Sequence, residues 1–274
     1  MKTFDGILLC TDLDGTLFRS DKSVSSENLN AIRRFQERGG RFTFITGRAP
    51  SAARGVWKTV RPNAAIGCFN GGGIYDYETD GFLHLTELPE EYLSLVSLVD
   101  REMPEIAIQT NGAKHVYLNK MNEAMRDFYR VTGIQRVECH YTEVRDRVAK
   151  VIFLHDENAV LERLAALFAA HPLHEKFDYI RSEKTIYEIL PKGVSKASAL
   201  SRLSEIYGID PKRTIAVGDF DNDASMLRAA GCGIAVSNAS EAAVRAADLV
   251  LPVSNEENAI AYIISALEDG RISI

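Results

Sequence analysis

The sequence predicts an α/β fold: a parallel sheet with helical crossovers, interrupted midway by an α+β block. At both ends of the chain short apolar runs alternate with amphipathic stretches, the pattern of strands joined by crossover helices. Between about residues 82 and 190 that rhythm gives way to short strands in close succession. A chain of 274 residues suits one large domain or two modest ones. The simplest organisation is a discontinuous sheet domain, residues 1–81 and 187–274, with an α+β domain, residues 82–186, inserted between its halves.

The first strand is the apolar run Ile7-Leu8-Leu9-Cys10, which delivers Asp12-Leu13-Asp14-Gly15-Thr16 into a turn. Ser25 suits the N-cap of a helix whose apolar positions are Leu29, Ile32 and Phe35, and Gly39-Gly40 stops it. Residues 41–46 read as a second strand broken by Gly47, and Pro50 fits the first turn of the next helix. Residues 64–69 form a third strand ending in Asn70-Gly71-Gly72-Gly73. In the middle block, a strand at 82–85 and a helix at 89–101 come first. Two short strands then flank Asn111-Gly112, a hairpin-type turn signal. A helix around 122–129, a strand at 148–154, a helix at 159–170 and paired strands at 179–182 and 185–190 complete the block. Past Pro191-Lys192-Gly193 the α/β rhythm returns. A helix at 195–207 leads to a strand at 214–217 that ends in Gly218-Asp219-Phe220-Asp221-Asn222-Asp223. A helix, a strand at 233–236, a helix at 240–246, a short strand at 249–252 and a helix at 257–267 follow.

Composition narrows the function. With 46% hydrophobic and 26% charged residues the chain matches an ordinary soluble globular protein. A net charge of −6 without a basic run argues against a nucleic-acid partner and against an anionic membrane surface. Neither an N-terminal apolar signal region nor a long apolar run is found, so neither secretion nor a membrane span is expected. The four cysteines lie far apart and read as reduced thiols of a cytoplasmic protein. All six histidines fall between His84 and His174. Chemistry built from the two ends of the chain must therefore run on carboxylates, lysine and metal.

Asp12 and Asp14 are two residues apart at a strand end, so their side chains project to the same side. In an open α/β sheet the carboxyl ends of the strands are where ligands bind. Two carboxylates so close either share a cation or leave one of them protonated. A Mg²⁺ bridge would make a site for a phosphoryl group; a protonated Asp would make a general acid.

Four segments follow in order: Asp12-Leu13-Asp14-Gly15-Thr16, then Thr46-Gly47-Arg48, then Gly193-Val194-Ser195-Lys196, then Gly218-Asp219 with Asn222-Asp223. Together with Asn70-Gly71 and Ala247-Asp248, they resemble the haloacid dehalogenase superfamily, specifically its Cof-type phosphatases, over nearly the whole chain. The resemblance implies a Rossmann-like core with the inserted α+β block as the larger, C2-type cap. It implies a Mg²⁺-dependent phosphatase of small phosphorylated metabolites, such as sugar phosphates, working through an aspartyl-phosphate. Asp12 would be the nucleophile and Asp14 the proton donor and acceptor. The Asp12 carboxylate, the Asp14 backbone carbonyl and the Asp219 carboxylate would hold the metal, with Asp223 behind them. Thr46, through its hydroxyl and backbone N–H, and Lys196 would hold the phosphoryl oxygens. Gly15, Gly47, Arg48, Asn70 and Asn222 are further substrate contacts. In the cap, Asn111, His115 and Tyr117 are candidates to face the leaving group.

Two positions depart from the family pattern: Asp221 adds a negative charge to the fourth segment, and Asn258 stands where relatives usually carry glycine. A phosphosugar mutase shares the same machinery and is the alternative enzyme. A metabolite-sensing protein without turnover would be expected to have lost Asp12, Asp14, Lys196 or Asp219, and all four are present.

Overall fold

The computed structural model describes residues 4–274. It divides into two compact units, one comprising residues up to Gly47, Arg54–His84 and Ser195–Ile274, the other Arg48–Ala53 and Leu85–Val194.

The first unit opens with β1 (Leu8–Thr11), buried throughout. A wide turn follows, closed by the Phe18 N–H donating to the Leu13 carbonyl at 2.8 Å. Helix α1 (Ser26–Glu37) starts where the Ser25 hydroxyl accepts from the Asn28 N–H at 3.1 Å, satisfying one of the orphan donors of the first turn. Strand β2 (Arg41–Phe44) and helix α2 (Pro50–Val60) come next. The third strand, β3 (Ile66–Cys68), is shorter than the sequence suggests. It touches the end of β2 through one parallel bridge, Ile45 to Gly67, then doubles back against β4 (Gly73–Asp76). Positive φ at Phe69, Asn70 and Gly71 makes that reversal possible. With β5 (Gly81–Leu85) these strands form a small sheet in the order β3-β4-β5.

The second unit is built on a six-stranded sheet. Its elements are α3 (Tyr92–Glu102), β6 (Ala107–Gly112), β7 (Val116–Lys120), α4 (Glu123–Thr132) and β8 (Val137–Glu138), followed by β9 (Val148–Leu154), α5 (Asn158–Ala169), β10 (Phe177–Glu183) and β11 (Ile186–Pro191). The strand order is β10-β11-β9-β6-β7-β8, antiparallel except for β7 with β8. Leu95, Val96 and Val99 of α3 and Leu161, Leu164 and Phe168 of α5 bury one face of the sheet with Ile108, Val151 and Phe153. Met125 and Tyr129 of α4 cover part of the other with Leu118, Ile152 and Leu154. Asn111-Gly112 is not the hairpin turn the sequence suggests. Both residues stay in β6, where Gly112 pairs with Val148 across a bulge, and the reversal comes later, with the Gly112 N–H on the His115 carbonyl at 2.9 Å.

The chain then returns to the first unit through α6 (Lys196–Tyr207), β12 (Thr214–Gly218), α7 (Ala224–Ala229), β13 (Cys232–Ala235), α8 (Glu241–Ala246), β14 (Leu249–Val250) and α9 (Ala259–Glu268). Strands β14-β13-β12-β1-β2 make one parallel sheet, with Leu8 opposite Thr214 and Thr11 opposite Val217. Leu8, Cys10 and Ala216 face Leu200, Leu203, Met226 and Leu227 of α6 and α7. Leu9, Ile215 and Val217, which alternate to the other face, are equally buried, as a parallel sheet covered on both sides requires. Among the described residues no helix is long and apolar enough to cross a membrane.

Candidate active site

Strands β1 and β12 are neighbours, so the carboxylates that follow them emerge side by side at the carboxyl edge of the sheet. The Asp12 N–H still bonds the Val217 carbonyl at 2.8 Å, which fixes the start of the turn. One oxygen each of Asp12, Asp219 and Asp223 lie within 4.8 Å of one another. Lys196, the first residue of α6, reaches the same place. Its Nζ is 2.7 Å from Asp12 Oδ1 and 2.6 Å from Asp223 Oδ1, and the whole side chain is buried. Ser195 caps this helix by accepting from the Ser198 N–H. Gly71 fixes where the helix begins, since a Cβ there would overlap the Ser195 carbonyl and its φ is +103°.

Around this cluster the backbone is held by short polar residues. Asp223 Oδ2 accepts from the N–H groups of Asp219 and Phe220, both at 3.0 Å, so Asp223 is engaged on both oxygens. Thr16 donates its hydroxyl to Asp219 Oδ1 at 2.7 Å. Gly15, at φ +79°, has no room for a side chain because a Cβ would overlap the Asp219 carboxylate. Asn238 donates to the Gly15 carbonyl at 2.8 Å.

The electrostatics of so many buried carboxylates are strained. Burial pushes the Asp12 carboxyl well above its ordinary range; Lys196 draws it down, and Asp223, Asp219 and Asp14 push it further up. Burial, then the charge of Asp223, raises Asp219 to about 6, against the hydroxyl of Thr16, which lowers it. For Lys196 burial acts to lower the ammonium pKa, but Asp12 and Asp223 outweigh it and hold the group well above the ordinary lysine value. One ammonium among three carboxylates leaves negative charge in excess. Hard carboxylate oxygens converging in excess fit a divalent cation such as Mg²⁺. Asp12 and Asp219 are the residues best disposed to hold it, because Asp223 is already taken up by Lys196 and two backbone donors.

The other residues singled out from the sequence fall in distinct places. Asn70, in the left-handed region at φ +56°, accepts at Oδ1 from Asn222 Nδ2 at 3.1 Å, so these two side chains are brought together. A Cβ on Gly47 would press on the Asn70 amide at 3.0 to 3.3 Å. Thr46 is buried beside them, but its N–H, expected to face a phosphoryl oxygen, donates to the Gly67 carbonyl at 3.0 Å. The bridge between β2 and β3 takes that donor and leaves the Thr46 hydroxyl as the group to consider. Asp14 stands outside the three-carboxylate cluster and pairs with Lys22, Nζ to Oδ1 at 2.8 Å. Arg48 belongs to the second unit. Thr16, Asn238 and Lys22 carried no role in the sequence reading. Thr16 alone had a signal, its place beside Gly15 in the first segment.

A parallel α/β sheet with a lysine and three carboxylates at its carboxyl edge defines a class of α/β protein whose site is rich in aspartate and suited to a divalent cation. Residues 9–264 match the model of the haloacid dehalogenase-like hydrolases, and the chain belongs to that family. It is 26% identical, over 93% of its length and 94% of the relative's, to the 5-amino-6-(5-phospho-D-ribitylamino)uracil phosphatase YitU of Bacillus subtilis. It is 27% identical to the phosphoglycolate phosphatase of Methanopyrus kandleri, over 96% and 97% of the two chains. Its fold is similar to that of a haloacid dehalogenase-like hydrolase from Bacteroides thetaiotaomicron, with a TM-score of 0.84, 28% identity and coverage of 95% and 99%.

Proposed function

We propose that this protein is a Mg²⁺-dependent phosphatase that hydrolyses phosphomonoesters of small metabolites, sugar phosphates or related compounds, through an aspartyl-phosphate on Asp12. The observation that carries this reading is the sharing of the Lys196 ammonium between Asp12 and Asp223 beside Asp219. Asp12 attacks phosphorus and the bond to the alcohol oxygen breaks, while Asp14 gives its proton to the departing oxygen. A water, losing its proton to Asp14, then attacks the same phosphorus and releases Asp12. When Asp12 is esterified its charge is lost; Asp223 still holds Lys196, and the ammonium is available to the phosphoryl oxygens. The Thr46 hydroxyl and the Asn222 amide, steadied by Asn70, are assigned to those same oxygens, with the backbone at Gly15 and Gly47 close by. Arg48 is assigned to the substrate. Asp12, Asp219 and the Asp14 carbonyl would hold Mg²⁺, with Asp223 behind them; bound there, the ion neutralises charge on the phosphoryl group as a Lewis acid.

Relatives are named for dissimilar alcohols, a ribityl chain and a glycolate, so the alcohol is the part of the substrate that a screen must identify. The free cysteines Cys10, Cys68 and Cys232 are buried, which suits a reducing cytoplasm. The test is hydrolysis of p-nitrophenyl phosphate by the purified protein. Turnover should require Mg²⁺ and stop with EDTA, and Asp12→Asn should lower kcat by about 10⁴-fold or more while the fold is kept. Activity in EDTA, or an Asp12→Asn variant as active as the unaltered protein, would overturn the proposal.

A further inference from the structure

We propose that Lys22 is a positioning residue for the proton-transferring carboxylate, Asp14; the inference rests on the phosphatase reading above. Lys22 Nζ lies 2.8 Å from Asp14 Oδ1, with the two side chains 56% and 32% exposed. An ion pair this exposed adds little to stability on its own. The way the loop around it is built gives the pair its significance.

Lys22 has φ +64°, a left-handed conformation that strains a non-glycine residue. The turn that imposes it is closed twice, by Lys22 N–H to the Arg19 carbonyl at 2.9 Å and by Arg19 N–H to the Ser23 carbonyl at 3.0 Å. Asp21 Oδ1 accepts from the Ser23 N–H at 2.9 Å as well. The turn is then tied to the segment ahead of α9. Ser20 donates from its N–H and its hydroxyl to Glu256 Oε1, at 2.7 and 2.6 Å. Arg19 Nη2 donates to Asn258 Oδ1 at 3.0 Å. Asn258 is itself left-handed, at φ +65°. Glycine would serve the backbone there, but only a side chain can accept from Arg19. The residue that carries the strain of this tethered loop is the one whose ammonium reaches Asp14, and such strain persists where a position is over-determined by its surroundings.

Holding Oδ1 fixes the plane of the Asp14 carboxyl group. In the protonated form Oδ1 is the carbonyl oxygen that accepts from Lys22 and Oδ2 bears the proton, which passes to the leaving oxygen as the bond from phosphorus to that oxygen breaks and the bond from Asp12 to phosphorus forms. In the second half Oδ2 takes a proton from the attacking water as the Asp12–phosphorus bond breaks.

The readout is kcat/KM across a series of aryl phosphates, from p-nitrophenyl to unsubstituted phenyl, because p-nitrophenolate leaves without a proton and phenolate needs one. Lys22→Met should lower kcat/KM about tenfold on phenyl phosphate but only about twofold on p-nitrophenyl phosphate. Lys22→Arg, which keeps a cation on a long stem, should recover most of the loss. In an Asp14→Asn background Lys22→Met should cost nothing further. An equal loss along the series, an additive loss in the Asp14→Asn background, or no loss on phenyl phosphate would overturn the assignment. If the unaltered protein hydrolyses none of the series, the phosphatase reading fails instead.

Discussion

Lys196 is the side chain on which the site's electrostatics turn, since among the described residues it is the cation paired with Asp12 and Asp223 beside Asp219. Removing one partner of a buried ion pair leaves an uncompensated charge, at a cost of about 3–5 kcal/mol. Urea unfolding of Lys196→Met in EDTA is therefore expected to show a loss of that size. Added Mg²⁺ should restore part of it, because the ion supplies positive charge to the same carboxylates. An unchanged midpoint in EDTA would mean that Asp12 and Asp223 do not depend on Lys196. Asp12, Lys196, Asp219 and Asp223, which the structure brings together, were singled out in the sequence by the resemblance of four ordered segments, each at a predicted strand end or helix start. Thr16 on Asp219, Asn238 on Gly15 and Lys22 on Asp14 were not. Short polar residues in loops have no period, and their partners lie up to 223 positions away.

At the scale of elements, the cluster exists because β1 and β12 are adjacent in the parallel sheet and α6 starts in line with them. The start of α6 depends on Gly71, where a side chain would run into the Ser195 carbonyl and φ is +103°. Gly71→Ala is expected to destabilise the protein by more than about 1 kcal/mol, since both backbone conformation and space oppose it. It should also lower kcat, because the displaced helix carries Lys196. Thermal unfolding and p-nitrophenyl phosphate turnover check the two effects; an alanine variant matching the unaltered protein in both would show that α6 is positioned by other contacts. The strands and helices of the parallel sheet could be read from the sequence because both faces of that sheet are buried and its apolar runs are continuous. The third strand was read over 64–69 and is Ile66–Cys68, and β4 was not read, since three consecutive glycines after Asn70 gave no side-chain pattern to follow. The turn expected at Asn111-Gly112 moved because pairing with β9, not the local turn preference, sets the length of β6.

For the molecule as a whole, the chain places its carboxylates and its lysine in one unit and builds the other around a separate sheet with cores of its own. That division suits a reaction in which the phosphoryl chemistry is constant and the alcohol varies. The proposed chemistry turns on Asp12 as the nucleophile, and an acyl phosphate can be caught directly. The protein is quenched in acid during turnover of a phosphomonoester, treated with borohydride, which reduces an acyl phosphate to the alcohol, and digested for peptide mass analysis. Homoserine at position 12, present only when substrate and Mg²⁺ were both supplied and absent from Asp12→Asn, is the expected result. An unmodified Asp12 with homoserine at Asp14 or Asp219, or no reduced residue during steady turnover, would contradict it.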